Sequence, residues 1–171
     1  MNRRLKEKLK KIKLLAMDFD GVMTDGTVYI DQDGIETVRC SRKDGLGIEM
    51  LKRAGILACV ISKETNPVVT ARCDKLKIKC WQKVENGESK AEILERIMAE
   101  QGLTKEEVAY MGDDLNDMAP LQAAGIAFTV ADGHPLVKKI SDYITRAKGG
   151  GHAVREICEL ILEARGTDLK F

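Results

Sequence analysis

Aromatic residues are scarce in this chain, with three Phe, three Tyr and one Trp among 171 residues. None falls in the basic N-terminal arm, so no base-stacking platform for nucleic acid can be built there. Long apolar runs are missing as well. The longest, Ile56 to Ile61, is far short of the ~20 residues that cross a bilayer. The N-terminus is basic through its first turns and carries no signal-peptide pattern, which predicts a cytoplasmic protein. The five cysteines, Cys40, Cys59, Cys73, Cys80 and Cys158, are odd in number and scattered, with no C-x-x-C pair. That excludes a disulfide framework and a zinc site and leaves buried or half-buried thiols. No internal repeat, low-complexity tract or linker is present. A composition 44% hydrophobic and 32% charged then describes one soluble globular domain over residues 1–171.

The net charge is +1, unevenly placed. Residues 1–13 hold seven Lys/Arg against Glu7 alone, so the remainder is −5. Leu5, Leu9 and Ile12 recur at helical spacing, and residues 1–12 read as a basic amphipathic helix. Its apolar stripe suits docking on the domain, and its charge suits a polyanion contact.

Beyond the arm the pattern alternates. Leu14–Asp18 reads as a buried strand. Thr27–Asp31 and Ile35–Cys40 alternate apolar and polar around Gln32-Asp33-Gly34, a hairpin signal. Asp44–Ala54 is helical and stops at Gly55; Leu57–Ile61 is a strand and Pro67–Leu76 a helix. One further strand lies between that helix and Ser89–Gln101, a helix opened by the capping-box pattern Ser89-Lys90-Ala91-Glu92. Thr104-x-x-Glu107 repeats the device. Val108–Met111 is a strand, Leu115–Ala124 a helix, Ile126–Val130 a strand and His152–Ala164 a last helix. Strands alternating with helices predict an α/β fold, a Rossmann-like parallel sheet flanked by helices, with a protruding hairpin over residues 27–40. Ligands of such sheets bind beyond the carboxyl ends of the strands.

Carboxylates gather at those ends. Asp18 and Asp20 follow the first strand, with Asp25 five residues on, and Gly112-Asp113-Asp114-Leu115-Asn116-Asp117 follows Val108–Met111. Neighbouring carboxylates repel, and burial raises the cost. A hard divalent cation resolves both, and Mg²⁺ favours such oxygen donors. A calcium loop is rejected by spacing: counting from Asp18, the sixth and twelfth places are Met23 and Tyr29 where Gly and Glu are required. Ser62 offers a hydroxyl at the same sheet edge. Lys90 opens a helix whose N-terminus is already partly positive, which calls for an anion opposite it.

D-x-D-G-V-x-T-D at a strand end, a Ser after the next strand, a later Lys and then G-D-D-x-x-D resemble the haloacid dehalogenase superfamily of aspartate-nucleophile phosphatases. The resemblance covers about residues 13–130. It implies that Asp18 attacks phosphorus, that Asp20 protonates the leaving alcohol and later activates water, and that Ser62 and Lys90 hold the phosphoryl oxygens. It further implies Mg²⁺ on Asp18, the Asp20 carbonyl and Asp113, with Asp114 and Asp117 behind them, tying down metal waters and Lys90. The intervals Asp25–Asp44 and Ser62–Lys90 are too short for a cap domain. Either a large substrate or a neighbouring subunit must then cover the site, and the apolar hairpin reads as the oligomer contact.

T-D-G-x-x-Y-x-x-x-x-G, K-D-G-x-G-I and G-G-G-x-A-V-R-E resemble a narrower family over nearly the whole chain. These are the phosphatases of 3-deoxy-D-manno-octulosonate (KDO) 8-phosphate and the related C-terminal domains of acylneuraminate cytidylyltransferases. That resemblance implies a capless Mg²⁺-dependent homotetramer acting on a small sugar acid phosphate, with no nucleic acid and no membrane insertion. It also implies that Gly149–Gly151 and Arg155 belong to a substrate-covering tail. One departure stands out: Ser62-Lys63-Glu64 replaces the Thr-Gly-Arg usual in octulosonate phosphatases. Glu64, Arg72 and Lys75 instead resemble the nine-carbon (2-keto-3-deoxynononate 9-phosphate) branch, and Arg72 and Lys75 share a helix face that suits a sugar-acid carboxylate. Two other readings remain open, a capless phosphatase of a macromolecule and a non-catalytic oligomerisation domain. Presence of every catalytic residue type argues against the second.

Overall fold

The computed structural model describes residues 2–82 and 89–167. Its main sheet is parallel throughout. β1 (Leu14–Met17), β4 (Leu57–Ile61), β5 (Lys79–Trp81), β6 (Val108–Met111), β7 (Ile126–Thr129) and β8 (Tyr143–Ile144) run in the order β5-β4-β1-β6-β7-β8. β1 is central, with Met17 opposite Val60 on one side and Met111 on the other. The period-2 alternation of strand side chains divides its residues between two cores. Leu15 and Met17 face α1 (Arg3–Leu9), α2 (Arg42–Arg53), α3 (Val68–Leu76) and α7 (Ala153–Ala164); Leu14 and Ala16 face α4 (Lys90–Gln101), α5 (Met118–Ala123) and α6 (Pro135–Ile140). Burial on both faces explains why these strands read as short continuous apolar runs.

Local signals place the helix ends. Ser89 and Glu92 form the expected capping box at α4, and Ser41 caps α2. The N-terminal arm docks by its apolar stripe: Leu5, Leu9 and Ile12 are buried, and α1 lies against α7 with its lysines outward. No helix among the described residues is long and apolar enough to cross a membrane.

Two expectations change, and two short elements appear that the sequence pattern does not foresee. The helix expected over Leu115–Ala124 is a 3-10 turn, Leu115–Asp117, followed by α5. Pro120 supplies the reason, since in a continuous helix its missing N–H would leave a carbonyl one turn earlier unsatisfied, whereas in the first turn of α5 it is tolerated. α6 and β8 carry no expectation at all, being too short for a periodic pattern to register. The hairpin pairs only β2 (Tyr29–Ile30) with β3 (Glu36–Thr37). Val38 and Cys40 pack against the core, but the tip does not fold back, and Tyr29, Ile30 and Ile35 are each 62–63% exposed.

Candidate active site

The sheet order decides where the chemistry sits. Connections leave β1 and its two neighbours toward different flanks, and the crevice at their carboxyl ends is the usual ligand position. The loops after β1 and β6 therefore face one another, and the Asp18 N–H donates to the Met111 carbonyl at 2.9 Å. Between Phe19 and Gly26 the chain turns tightly. The Phe19 carbonyl accepts from Met23 N at 2.8 Å, and the buried Thr24 hydroxyl accepts from Gly21 N and Gly26 N while donating to Asp20 at 3.4 Å. Gly21 has φ +71°, and a Cβ there would lie 2.0 Å from Asp113 Oδ2. Only glycine lets the second acidic loop approach the first this closely.

Asp18 is 5% exposed. One carboxylate oxygen accepts from its neighbour, Phe19 N, at 2.7 Å, and the other from Lys90 Nζ at 2.6 Å. Lys90, 2% exposed, also donates to Asp117 Oδ1 at 2.8 Å. Asp117 is fully committed, since Oδ1 also accepts from Tyr110 Oη at 3.0 Å and Oδ2 from Asp113 N at 3.0 Å. It thus fixes the lysine and the Asp113 backbone together. Tyr110 is the participant that sequence reasoning missed. A tyrosine in an otherwise apolar central strand needs a partner for its hydroxyl, and that signal was available.

Burial, and then the charge of Asp117, push Asp18 above the usual carboxylate range, with Lys90 opposing. Burial would lower Lys90, but Asp18 and Asp117 more than offset it and raise the ammonium, so it remains charged. Burial followed by Asp117 and Asp114 pushes Asp113 up to about 7. Asp20 is raised by burial and by Glu64 and Glu36, which favours the protonated form a general acid needs.

Asp18, Asp20, Asp113, Asp114 and Asn116 line a cleft of about 420 Å³. Asp114 is exposed at its mouth and caps the 3-10 turn through Leu115 N. Ser62 follows β4 directly and is 1% exposed, its hydroxyl accepting from Glu64 N at 3.1 Å. Glu64 turns onto its own loop, accepting from Thr65 N and Asn66 N. Arg72 donates to the Ser41 carbonyl at 2.8 Å, and Lys75 is exposed on α3; neither lines the cleft. Asp25 pairs with Arg39 at 3.0 Å and holds the hairpin base instead of joining the acids. A smaller apolar pocket of about 170 Å³ opens against Leu14 and Leu57, the first residues of β1 and β4. No carboxylate lines it among the described residues.

The glycine run is no covering tail within this chain. Gly150 N donates to the Val22 carbonyl at 3.1 Å, and a Cβ on Gly149 would sit 1.9 Å from the Gly21 carbonyl oxygen. The run is packed behind the Asp20–Asp25 loop and braces it. Arg155 likewise lies along α7, bound to Glu159 at 2.7 Å, with its N–H on Asp44.

The donor set fits a divalent cation. One oxygen from each of Asp18, Asp113 and Asp117 falls within 4.8 Å of the others. Five acids, Asp18, Asp20, Asp113, Asp114 and Asp117, gather at this edge, and Lys90 is the one buried cation among the described residues. Asp18 and Asp113 line the open cleft whereas Asp117 lies buried behind them, so Asp18 and Asp113 are the carboxylates placed to bind metal. Hard oxygen donors of this kind select Mg²⁺-like ions over zinc.

A family model described as haloacid dehalogenase-like hydrolase matches residues 50–156. The 3-deoxy-D-manno-octulosonate 8-phosphate phosphatase KdsC of Escherichia coli (strain K12) is 36% identical over 161 residues, 93% of this chain and 84% of the relative. The crystal structure of the phosphatase of that name from Moraxella catarrhalis, in complex with magnesium ion, phosphate ion and KDO, superposes with TM-score 0.91 at 35% identity, covering 97% of this chain and 94% of the other. A cobalt-bound deoxy-D-mannose-octulosonate 8-phosphate phosphatase from Haemophilus influenzae matches with TM-score 0.87 at 36% identity over 93% and 92%.

Proposed function

The chain belongs to the haloacid dehalogenase-like hydrolases, and from that premise we propose that it hydrolyses the phosphomonoester of a 2-keto-3-deoxy sugar acid, KDO 8-phosphate first among them. One observation carries the chemistry: Asp18 and Asp20 meet Asp113 across the β1–β6 crevice, with Lys90 clamped between Asp18 and Asp117. The relatives carry the substrate. Glu64, a residue that resembles the nine-carbon branch, is used here to cap its own loop, so the eight-carbon sugar is the favoured reading.

Asp18 attacks phosphorus while the ester oxygen leaves, transferring the phosphoryl group to its carboxylate. Asp20 gives that oxygen a proton, then takes one from the water that attacks the acyl phosphate, and inorganic phosphate departs. Lys90 holds Asp18 in line and places positive charge beside it; Ser62, at the neighbouring strand end, is the donor for a phosphoryl oxygen. A divalent cation on Asp18, Asp113 and the Asp20 carbonyl neutralises charge on the transferring group when bound. The exposed hairpin is the surface through which we place a homo-oligomer, the source of cover for a capless cleft.

The test is phosphate release, with and without Mg²⁺, from KDO 8-phosphate, 2-keto-3-deoxynononate and N-acetylneuraminate 9-phosphates, and an aryl phosphate. Selective Mg²⁺-dependent turnover of KDO 8-phosphate is expected. Preference for a nine-carbon ester would move the substrate, and turnover of the aryl ester alone would remove the sugar-acid assignment.

Cation binding carries a pH signature. An unfolded carboxyl titrates near 4, whereas Asp113 titrates at about 7. Without metal the folded chain therefore binds a proton that the unfolded chain lacks across that window. The contribution of Asp113 to stability is full at the acid end and is lost as pH rises through 7. A cation must displace that proton, so its affinity grows in the opposite direction. The rise in Tm on adding Mg²⁺ is expected to be larger at pH 8 than at pH 5.5; an equal rise at both would show that Asp113 is not a ligand.

A further inference from the structure

Cys73 and Cys80 stand apart from the active site and are used by nothing described above. Cys73 lies in the last turns of α3 and is fully buried; Cys80 is the middle residue of β5, half-buried on the outermost strand of the sheet. Lys77 reverses the chain in left-handed conformation, and Ile78 N donates to the Cys73 carbonyl at 3.1 Å. The strand is thereby folded back along the helix. Cys80 pairs in register with Val60, and Val60, Cys73 and Cys80 share one core face, while Cys59 belongs to the opposite face. α3 packs on β5, and the two side chains lie against one another on that shared face. Both are free thiols.

We propose that Cys73 and Cys80 form a reversible disulfide, tying α3 to β5, when the protein meets a peroxide. The two thiols have different characters. Cys80 is half-buried on the edge strand, where a peroxide can reach it, whereas Cys73 is buried beneath it; the contact between them draws the Cys80 thiol down and pushes Cys73 up, together with burial. A half-buried thiol at a sheet edge beside a fully buried one is the arrangement of an attacking and a resolving cysteine. The Cys80 sulfur attacks one peroxide oxygen, the O–O bond breaks, and the departing hydroxide takes a proton to become water, leaving a sulfenic acid. The Cys73 sulfur then attacks the Cys80 sulfur; the S–O bond breaks, the S–S bond forms, and hydroxide leaves with the Cys73 proton as a second water. Two thiols are oxidised by two electrons and one peroxide is reduced. The inference is independent of the substrate assigned above, because neither sulfur touches the acid cleft.

Brief exposure of the full chain to hydrogen peroxide, followed by alkylation and peptide mapping, tests it. Two of the five thiols should be lost, with a Cys73–Cys80 linked peptide two hydrogens lighter than its reduced form. Fluorescence of Trp81, the single tryptophan and the next residue after Cys80, should fall in parallel. Dithiothreitol should restore both. In Cys73→Ser, Cys80 should stop at a sulfenic acid trappable by dimedone or pass on to sulfinic acid. In Cys80→Ser, Cys73 should stay reduced, and this edge-strand variant serves if the buried one does not fold. Cys80 oxidised with Cys73 still alkylatable, Cys73 lost in Cys80→Ser, or a disulfide through any other cysteine would overturn the proposal.

Discussion

Asp18→Asn is expected to lower phosphate release from the preferred ester by about a thousandfold or more, as loss of a covalent nucleophile does elsewhere. A thousandfold is about 4 kcal/mol of barrier. The carboxylate oxygens of Asp18 are engaged by Phe19 N and Lys90 Nζ, both donors. An amide presents one acceptor and one donor, so one of those contacts becomes donor against donor and neither orientation restores a nucleophile. The fold should survive, because Lys90 retains Asp117 and a buried charge is removed. Thermal melting run beside the assay separates the two effects. A variant keeping a tenth of wild-type turnover would place the nucleophile on another carboxylate.

Lys90→Met should show the second large effect, this time in stability as well as turnover. The side chain is 1% exposed and its ammonium is the buried cation shared by Asp18 and Asp117. Removing it leaves two carboxylates facing one another out of water, at a cost of about 3–5 kcal/mol. For a domain of this size that is a fall in Tm of about 10 °C. Measured without divalent cation, the double variant Lys90→Met/Asp117→Asn should recover much of the lost stability, since the residual repulsion is relieved. It should recover none of the turnover, because Asp18 still lacks its clamp. A Lys90→Met protein melting with wild type would show that the triad is not electrostatically coupled, and the mechanism built on it would go with it.

How much was legible beforehand follows the range of the interaction involved. The strand Leu57–Ile61 and the capping box at Ser89 were readable because every atom responsible lies within a few residues. Asp18, Asp20 and the Asp113–Asp117 cluster were readable as a site because strand-end carboxylates are conspicuous against an apolar run. The roles of Lys90 and Asp117 were only half visible. An ammonium at a helix N-terminus asks for an anion, and a phosphate was the anion expected; in the folded chain Asp18 and Asp117, 72 and 27 residues away, supply it. Tyr110, the brace at Gly149 and the turn of Glu64 onto its own loop were missed for the same reason.

Sequence by itself determined most of the elements and their order, the two-faced burial of the strands and the residue types that carry the chemistry; the short α6 and β8 lay beyond it. Those properties are set by periodicity, capping and side-chain chemistry, which neighbours along the chain dictate. Tertiary structure alone decided which acid meets which cation, which glycine supports the nucleophile loop and which cysteine lies against its partner. The order β5-β4-β1-β6 is settled by packing two cores at once, and only that packing brings β1 and β6, 94 residues apart in register, close enough for five carboxylates to share one crevice.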